Sequence, residues 1–177
     1  AFLIMGAFVS IYNYLGFRLS EAPYNLGPAA IGCVFLLYAV GSASSALAGN
    51  LADRFGRGHI MLGMIATMAI GVLATLNSHL AVIIFGLGLF TFGYFATHSI
   101  ASGWVGFRAG ERRGLVSALY LSSYYLGSSF LGSTSGPLWT HYQWPGMVIG
   151  LMICVGLVFL IGLYLTYYLA RREHPAR

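Results

Sequence analysis

The chain has 177 residues, 58% of them hydrophobic and only 7% charged. Soluble domains carry about 25% charged residues, so an ordinary soluble domain is excluded. The formal net charge of +5 comes from arginine, with no lysine anywhere; it reads as membrane topology and attraction to anionic lipid headgroups, not as a nucleic-acid surface.

All charged residues fall outside six apolar stretches, at about 1–17, 29–49, 60–77, 80–102, 115–138 and 146–169. Each is close to the ~20 residues that cross ~30 Å of hydrocarbon as a helix. In lipid the backbone must satisfy its own hydrogen bonds. The expected fold is therefore all-α: a polytopic membrane protein with six transmembrane helices.

The first stretch carries Tyr12, Asn13 and Tyr14 and leads into an outer loop, 18–28, with Arg18, Glu21, Pro23 and Pro28. The second holds Tyr38, Ser42, Ser44 and Ser45 and is expected to end near Gly49, before an inner loop at 50–59. The third is nearly pure apolar and turns outside at Asn77-Ser78-His79. The fourth contains Tyr94, His98, Ser99 and Ser102, followed by a second inner loop at 103–114. The fifth is rich in hydroxyls, from Tyr120, Tyr124 and Tyr125 to Ser133, Thr134 and Ser135. An outer loop at 139–145 precedes the sixth, and Pro145 suits the first turn of that helix. Trp104, Trp139, Trp144, Tyr164, Tyr167 and Tyr168 fall at span ends, as interface anchors do.

Arginine sets the orientation. Arg54, Arg57, Arg108, Arg112, Arg113, Arg171, Arg172 and Arg177 share one side if the chain crosses six times, and Arg18 stands alone on the other. The positive-inside rule places the larger group, and the C-terminus, in the cytoplasm. Cys33 and Cys154 lie within spans and show no disulfide or metal spacing. No metal or cofactor is expected.

Residues 49–58 read Gly-Asn-Leu-Ala-Asp-Arg-Phe-Gly-Arg-Gly. This loop resembles the signature loop of the major facilitator superfamily of transporters, Gly-x-Leu-Ala-Asp-Arg-x-Gly-Arg-Lys/Arg. It matches at Gly49, Leu51, Asp53, Arg54, Gly56 and Arg57 and departs at Gly58, where a basic residue is usual. The resemblance implies a gate that latches through Asp53 against a second half of the carrier. A plain basic loop that only sets topology is the alternative. The polar, polar, apolar order of the spans occurs twice, which fits two inverted three-helix repeats whose third helices face lipid.

The chain begins within an apolar run and without methionine. It is read as a fragment, the C-terminal six-helix half of a twelve-helix carrier that lacks its N-terminal half. An N-terminal half is the alternative.

In the fifth span, Gly132, Gly136 and Pro137 offer either a close-packing face or a helix bend. The stretch is similar to the antiporter motif of the family. The run Tyr120–Ser129 and the stretch Asn13-Tyr14 to Arg18 resemble bacterial drug and sugar-efflux permeases.

The candidate solute or proton pathway comprises Asn13, Tyr14, Arg18, Tyr38, His98, Ser99, Tyr120 and Tyr124. His98 is the only ionisable residue placed inside a span beside tyrosines and cysteines. It is a candidate proton carrier or else a neutral structural histidine. Tyrosines offer flat apolar area with a hydroxyl, which suits an amphipathic or aromatic small molecule. The resemblance implies efflux by proton antiport with alternating access in the bacterial inner membrane. The alternatives are a half-size carrier working as a homodimer and a six-span intramembrane serine protease using Ser42 or Ser44 with His98.

Overall fold

The computed structural model describes residues 1–169. Six long helices follow one another: α1 (Phe2–Ser20), α2 (Pro28–Phe55), α3 (Arg57–Ala74), α4 (Leu80–Arg108), α5 (Arg113–Thr134) and α6 (Gly136–Leu163). No strand occurs among the described residues. Five of the helices are long and apolar enough to cross a bilayer. The exception, α5, has 22 residues, which is about 33 Å at helical rise; its serines and tyrosines lower its hydropathy.

The helices outrun the apolar stretches at the arginine-rich end, the inner one by the positive-inside expectation. Instead of ending near Gly49, α2 continues to Phe55, and the expected loop at 50–59 shrinks to Gly56. Likewise α4 runs on to Arg108. Polar residues at a membrane face still close i→i−4 hydrogen bonds, so the charges mark the bilayer edge and not the helix end. Gly56 adopts φ 89° and ψ 129°, a conformation that only glycine reaches cheaply.

At the outer end the opposite correction applies. The stretch 115–138 is not one helix, because α5 stops at Thr134 and helix resumes at Gly136. The expected loop at 139–145 is helical except at Gln143, whose φ of 54° and ψ of −150° break α6. Pro145 follows this break and starts the long inner run of the helix, as its missing N–H allows.

Helix pairing carries an internal symmetry. The principal partner of α1 is α5, and α4 packs on both α2 and α3; α1 also meets α6, and α3 meets α6. Exchanging α1 with α4, α2 with α5 and α3 with α6 maps this pattern onto itself. That is the arrangement of two three-helix repeats. The third helix of the second repeat exposes an apolar stripe of Ile149, Ile153, Leu157 and Leu160. The exposed face of α5 instead mixes Ser122, Ser123, Ser129 and Ser133 with leucines.

The α1–α5 contact is built on missing side chains. Gly127 lies against the Phe2 backbone, and Gly6 lies against Leu131 and the Gly127 carbonyl. A Cβ on Gly132 would sit 3.0 Å from Val9 Cγ1, and one on Gly136 would sit 3.2 Å from the Tyr14 hydroxyl. Both residues therefore face α1. Pro137 occupies the first turn of α6, just beyond the α5–α6 junction.

Interactions at the two ends fit the up-and-down path of the described chain. At the inner end the Arg57 guanidinium lies 5.2 Å from the Phe107 ring centroid, joining the α2–α3 turn to the end of α4. At the outer end Arg18 donates to the carbonyls of Thr75 and Asn77, the latter at 2.9 Å, and sits 4.8 Å from the Trp144 ring. Trp144 Nε1 donates to Thr75 Oγ1 at 3.0 Å. Trp144 is thus no interface anchor: it is only 4% exposed and ties α6 to α3. Arg171, Arg172 and Arg177, and the side chain of Tyr168, lie outside the described residues.

Candidate transport site

Aromatic side chains from α1, α2, α4 and α5 converge into one continuous array. Phe8 stacks on Tyr94 with centroids 3.9 Å apart and meets Tyr12 at 4.9 Å and Tyr38 at 5.4 Å. Tyr12 and Tyr38 stand edge to face at 5.1 Å, and Phe35 closes on Tyr12 at 5.4 Å. On the other side of Tyr94, His98 stacks at 6.2 Å and 11°. Tyr124 and Tyr120 then flank the imidazole at 4.8 and 5.6 Å. Offset and edge-to-face pairs of this kind contribute about 0.5–1.5 kcal/mol each beyond area burial.

Each buried hydroxyl of the array has a partner. Tyr12 and Thr91 hydroxyls are 2.7 Å apart, as are those of Tyr94 and Tyr124. The Tyr94 hydroxyl also lies 3.0 Å from Met5 Sδ. Tyr120 is bonded to His98 Nδ1 at 3.1 Å. A neutral imidazole with Nδ1 engaged keeps Nε2 as its second hydrogen-bonding position.

The structure brings together four of the predicted residues: Tyr38, His98, Tyr120 and Tyr124. It adds Phe8, Tyr12, Tyr94, Phe95 and Phe35, which sequence reasoning leaves out of the site. The signal for Phe8, Tyr12 and Tyr94 is present as i,i+4 spacing, in Phe8–Tyr12 and Tyr94–His98, which aligns rings on one helix face as in Tyr120–Tyr124; Phe95 and Phe35 carry no such mark.

The other predicted residues lie elsewhere. Asn13 is exposed on α1 beside Gly132. Tyr14 turns toward Trp139 at 6.1 Å and toward Gly136. Arg18 belongs to the outer clamp. Ser99 lines a small cleft with Gly49, Asp53 and Arg57 at the inner end of α2.

That cleft borders the signature turn. Asp53 and Arg57 form an exposed ion pair at 3.3 Å across the Gly56 turn, an arrangement worth about 0.2–1 kcal/mol at a surface. Asp53 therefore has a partner within the chain, on the next helix. Arg54 is exposed. Gly58 is buried against Thr166, where a side chain would overlap.

The arrangement does not support hydrolytic chemistry. Ser44 Oγ lies 2.7 Å from the Gly41 carbonyl and 2.9 Å from that of Phe92, so its hydrogen is committed to backbone. Ser42 Oγ donates to the Tyr38 carbonyl at 3.2 Å, and the side-chain partner of His98 is Tyr120. No cluster of three or more metal-ligating side chains occurs among the described residues.

Comparison with known proteins agrees with this reading. The profile of the Major Facilitator Superfamily matches residues 1–177. The chain is 41% identical over 170 residues to "Uncharacterized MFS-type transporter YybF" of Bacillus subtilis, covering 96% of this chain and 41% of that protein. It is 44% identical over 173 residues to "Inner membrane transport protein YnfM" of Escherichia coli, covering 98% of this chain and 40% of that protein. An "Uncharacterized transporter" of Buchnera aphidicola is 39% identical over 163 residues, covering 91% of this chain and 40% of that protein. The chain thus spans about two fifths of the length of the curated relatives it matches. No solved structure gives a significant match. The family and its named relatives are transporters and not enzymes, and the chain belongs to the Major Facilitator Superfamily.

Proposed function

We propose that this chain is the C-terminal half-bundle of a secondary transporter in a bacterial inner membrane. It closes against a second six-helix half and exports an amphipathic or aromatic small molecule by proton antiport, with alternating access. One observation carries the reading: the uncharged array from Phe35 to Tyr120, spread over α1, α2, α4 and α5. Flat rings with a few hydroxyls bind aromatic solutes through stacking and burial, with hydrogen bonds fixing orientation. His98 is the proton-carrying candidate because its imidazole lies within the array, where protonation and solute contact compete for one position. Asp53, Arg54 and Arg57 form the inner latch, with Gly49 and Gly56 shaping its helix end and turn. The polar outer face of α5 supports closure on the second half, and the apolar stripe on α6 supports contact with lipid.

The test uses the full carrier in proteoliposomes with an imposed pH gradient and the aromatic dye Hoechst 33342. Gradient-driven dye movement is expected, together with loss of dye affinity in Tyr38→Ala and Tyr124→Ala. Movement that ignores the gradient removes proton antiport. Unchanged affinity in both variants removes the aromatic site.

A further inference from the structure

The segment after α6 does not simply leave the bundle. It winds into a π-helical turn, Tyr164–Leu169, a rare conformation that occurs mostly at functional positions. This turn lies on the first turn of α3, directly beside the signature residues. Thr166 packs on Gly58 so closely that any Cβ there would overlap its side chain. The His59 ring meets Tyr167 edge to face at 6.0 Å. One turn earlier, Gly162 rests on Leu62, Ile65 and Met61.

Two features make this contact distinctive. First, the socket exists because glycine stands at position 58, where the family pattern has a basic residue. Second, Thr166 is 7% exposed and its hydroxyl has no hydrogen-bond partner among the described residues. A buried hydroxyl without a partner opposes the seating that apolar packing favours. The seat is therefore held by shape and weakened by polarity, which is the balance of a contact built to release.

We infer that Tyr164–Tyr167 is a releasable strap seated on Gly58, which ties the segment after α6 to the signature turn. Residues Asp53 to Gly58 span the end of α2, the Gly56 turn and the start of α3, so rearrangement of the Asp53–Arg57 pair shifts the socket itself. This coupling rests on the gating reading of Asp53; the seat does not.

The experiment reads strap exposure and needs no solute. Thr166→Cys is introduced into the full carrier freed of other reactive cysteines, and membrane-impermeant maleimide is applied to inside-out vesicles. Labelling is expected to be slow and to accelerate tenfold or more when Gly58→Arg is added. Gly63→Leu, at a position with open space around it, should leave the rate unchanged. Asp53→Asn should accelerate labelling as well. Equal rates with and without Gly58→Arg overturn the seat. Acceleration by Gly58→Arg but not by Asp53→Asn overturns the strap as a partner of the turn, even where transport assays support the latch. A companion variant, Thr166→Val, removes the orphan hydroxyl and should slow amide hydrogen exchange across Tyr164–Tyr167 about tenfold; faster or unchanged exchange contradicts a polarity-weakened seat.

Discussion

Replacing Arg18 with alanine tests the outer clamp. The guanidinium donates to two carbonyls at the end of α3, Thr75 and Asn77, and lies 4.8 Å from the Trp144 ring. Hydrogen bonds from a charged donor contribute about 1.5–3 kcal/mol each, and a cation–π contact adds about 0.5–2 kcal/mol. Arg18 is only partly buried and Asn77 is exposed, so water recovers part of this loss. The expected net cost is about 3 kcal/mol, less than the sum of the separate contacts. For a unit of this size that corresponds to roughly 6–12 °C in melting temperature. Intrinsic-fluorescence melting of the purified carrier in detergent measures it. Arg18→Lys should fall between wild type and alanine, since lysine keeps the charge but loses the planar fork and its stacking. Trp144→Phe removes the bond to Thr75 Oγ1, and a double-mutant cycle with Arg18→Ala should show coupling near ~1 kcal/mol. Melting of Arg18→Ala within about 2 °C of wild type, well below the shift worked out here, refutes the clamp. Unaltered melting with lost transport would return Arg18 to the solute pathway.

Asp53→Asn should sharply reduce transport while membrane insertion stays intact, because an exposed ion pair contributes little to folding; full transport activity would reject the latch. His98→Ala should change the pH dependence of transport, and Tyr120→Phe, which removes the partner of Nδ1, should shift the same profile; unchanged profiles in both would leave His98 a structural residue. Gly127→Val places a branched side chain into the Phe2 backbone and should cost at least ~1–3 kcal/mol through overpacking, seen as lower melting temperature; a neutral result would mean α1 and α5 are less closely packed.

The resemblance of residues 49–58 to a signature loop makes the family legible, and hydropathy and arginine placement make the number of long helices and their alternation legible. They do so because lipid penalises charge and unpaired backbone at every depth of the core. Helix ends are not legible for the same reason. Asp53 and Arg54 leave the hydrocarbon but remain helical, and nothing in hydropathy distinguishes the two events. The break at Gln143 is equally hidden, since its strained backbone sits in a stretch that otherwise closes helical bonds. Within the site, polarity selects Tyr38, His98, Tyr120 and Tyr124; Phe8 reads as ordinary apolar lining, and nothing in the sequence sets Tyr94 apart from the other polar residues of its span, although it stacks at the centre of the array. Arg18 reads as a pathway residue because its acceptors are backbone carbonyls more than fifty residues away, and carbonyls leave no mark in a sequence.

The exchange of partners between the two repeats has a consequence for synthesis. Glycines that let α1 approach its neighbour are matched by Gly127, and 125 residues separate that position from Phe2. At roughly 5–20 residues per second, α1 spends about 6–25 s in the bilayer before α5 is made. During that interval its small-residue groove waits for the α5 glycine that fits it. The principal partners of α1 and α2 lie in the second repeat, so the first repeat completes its packing only when the second arrives.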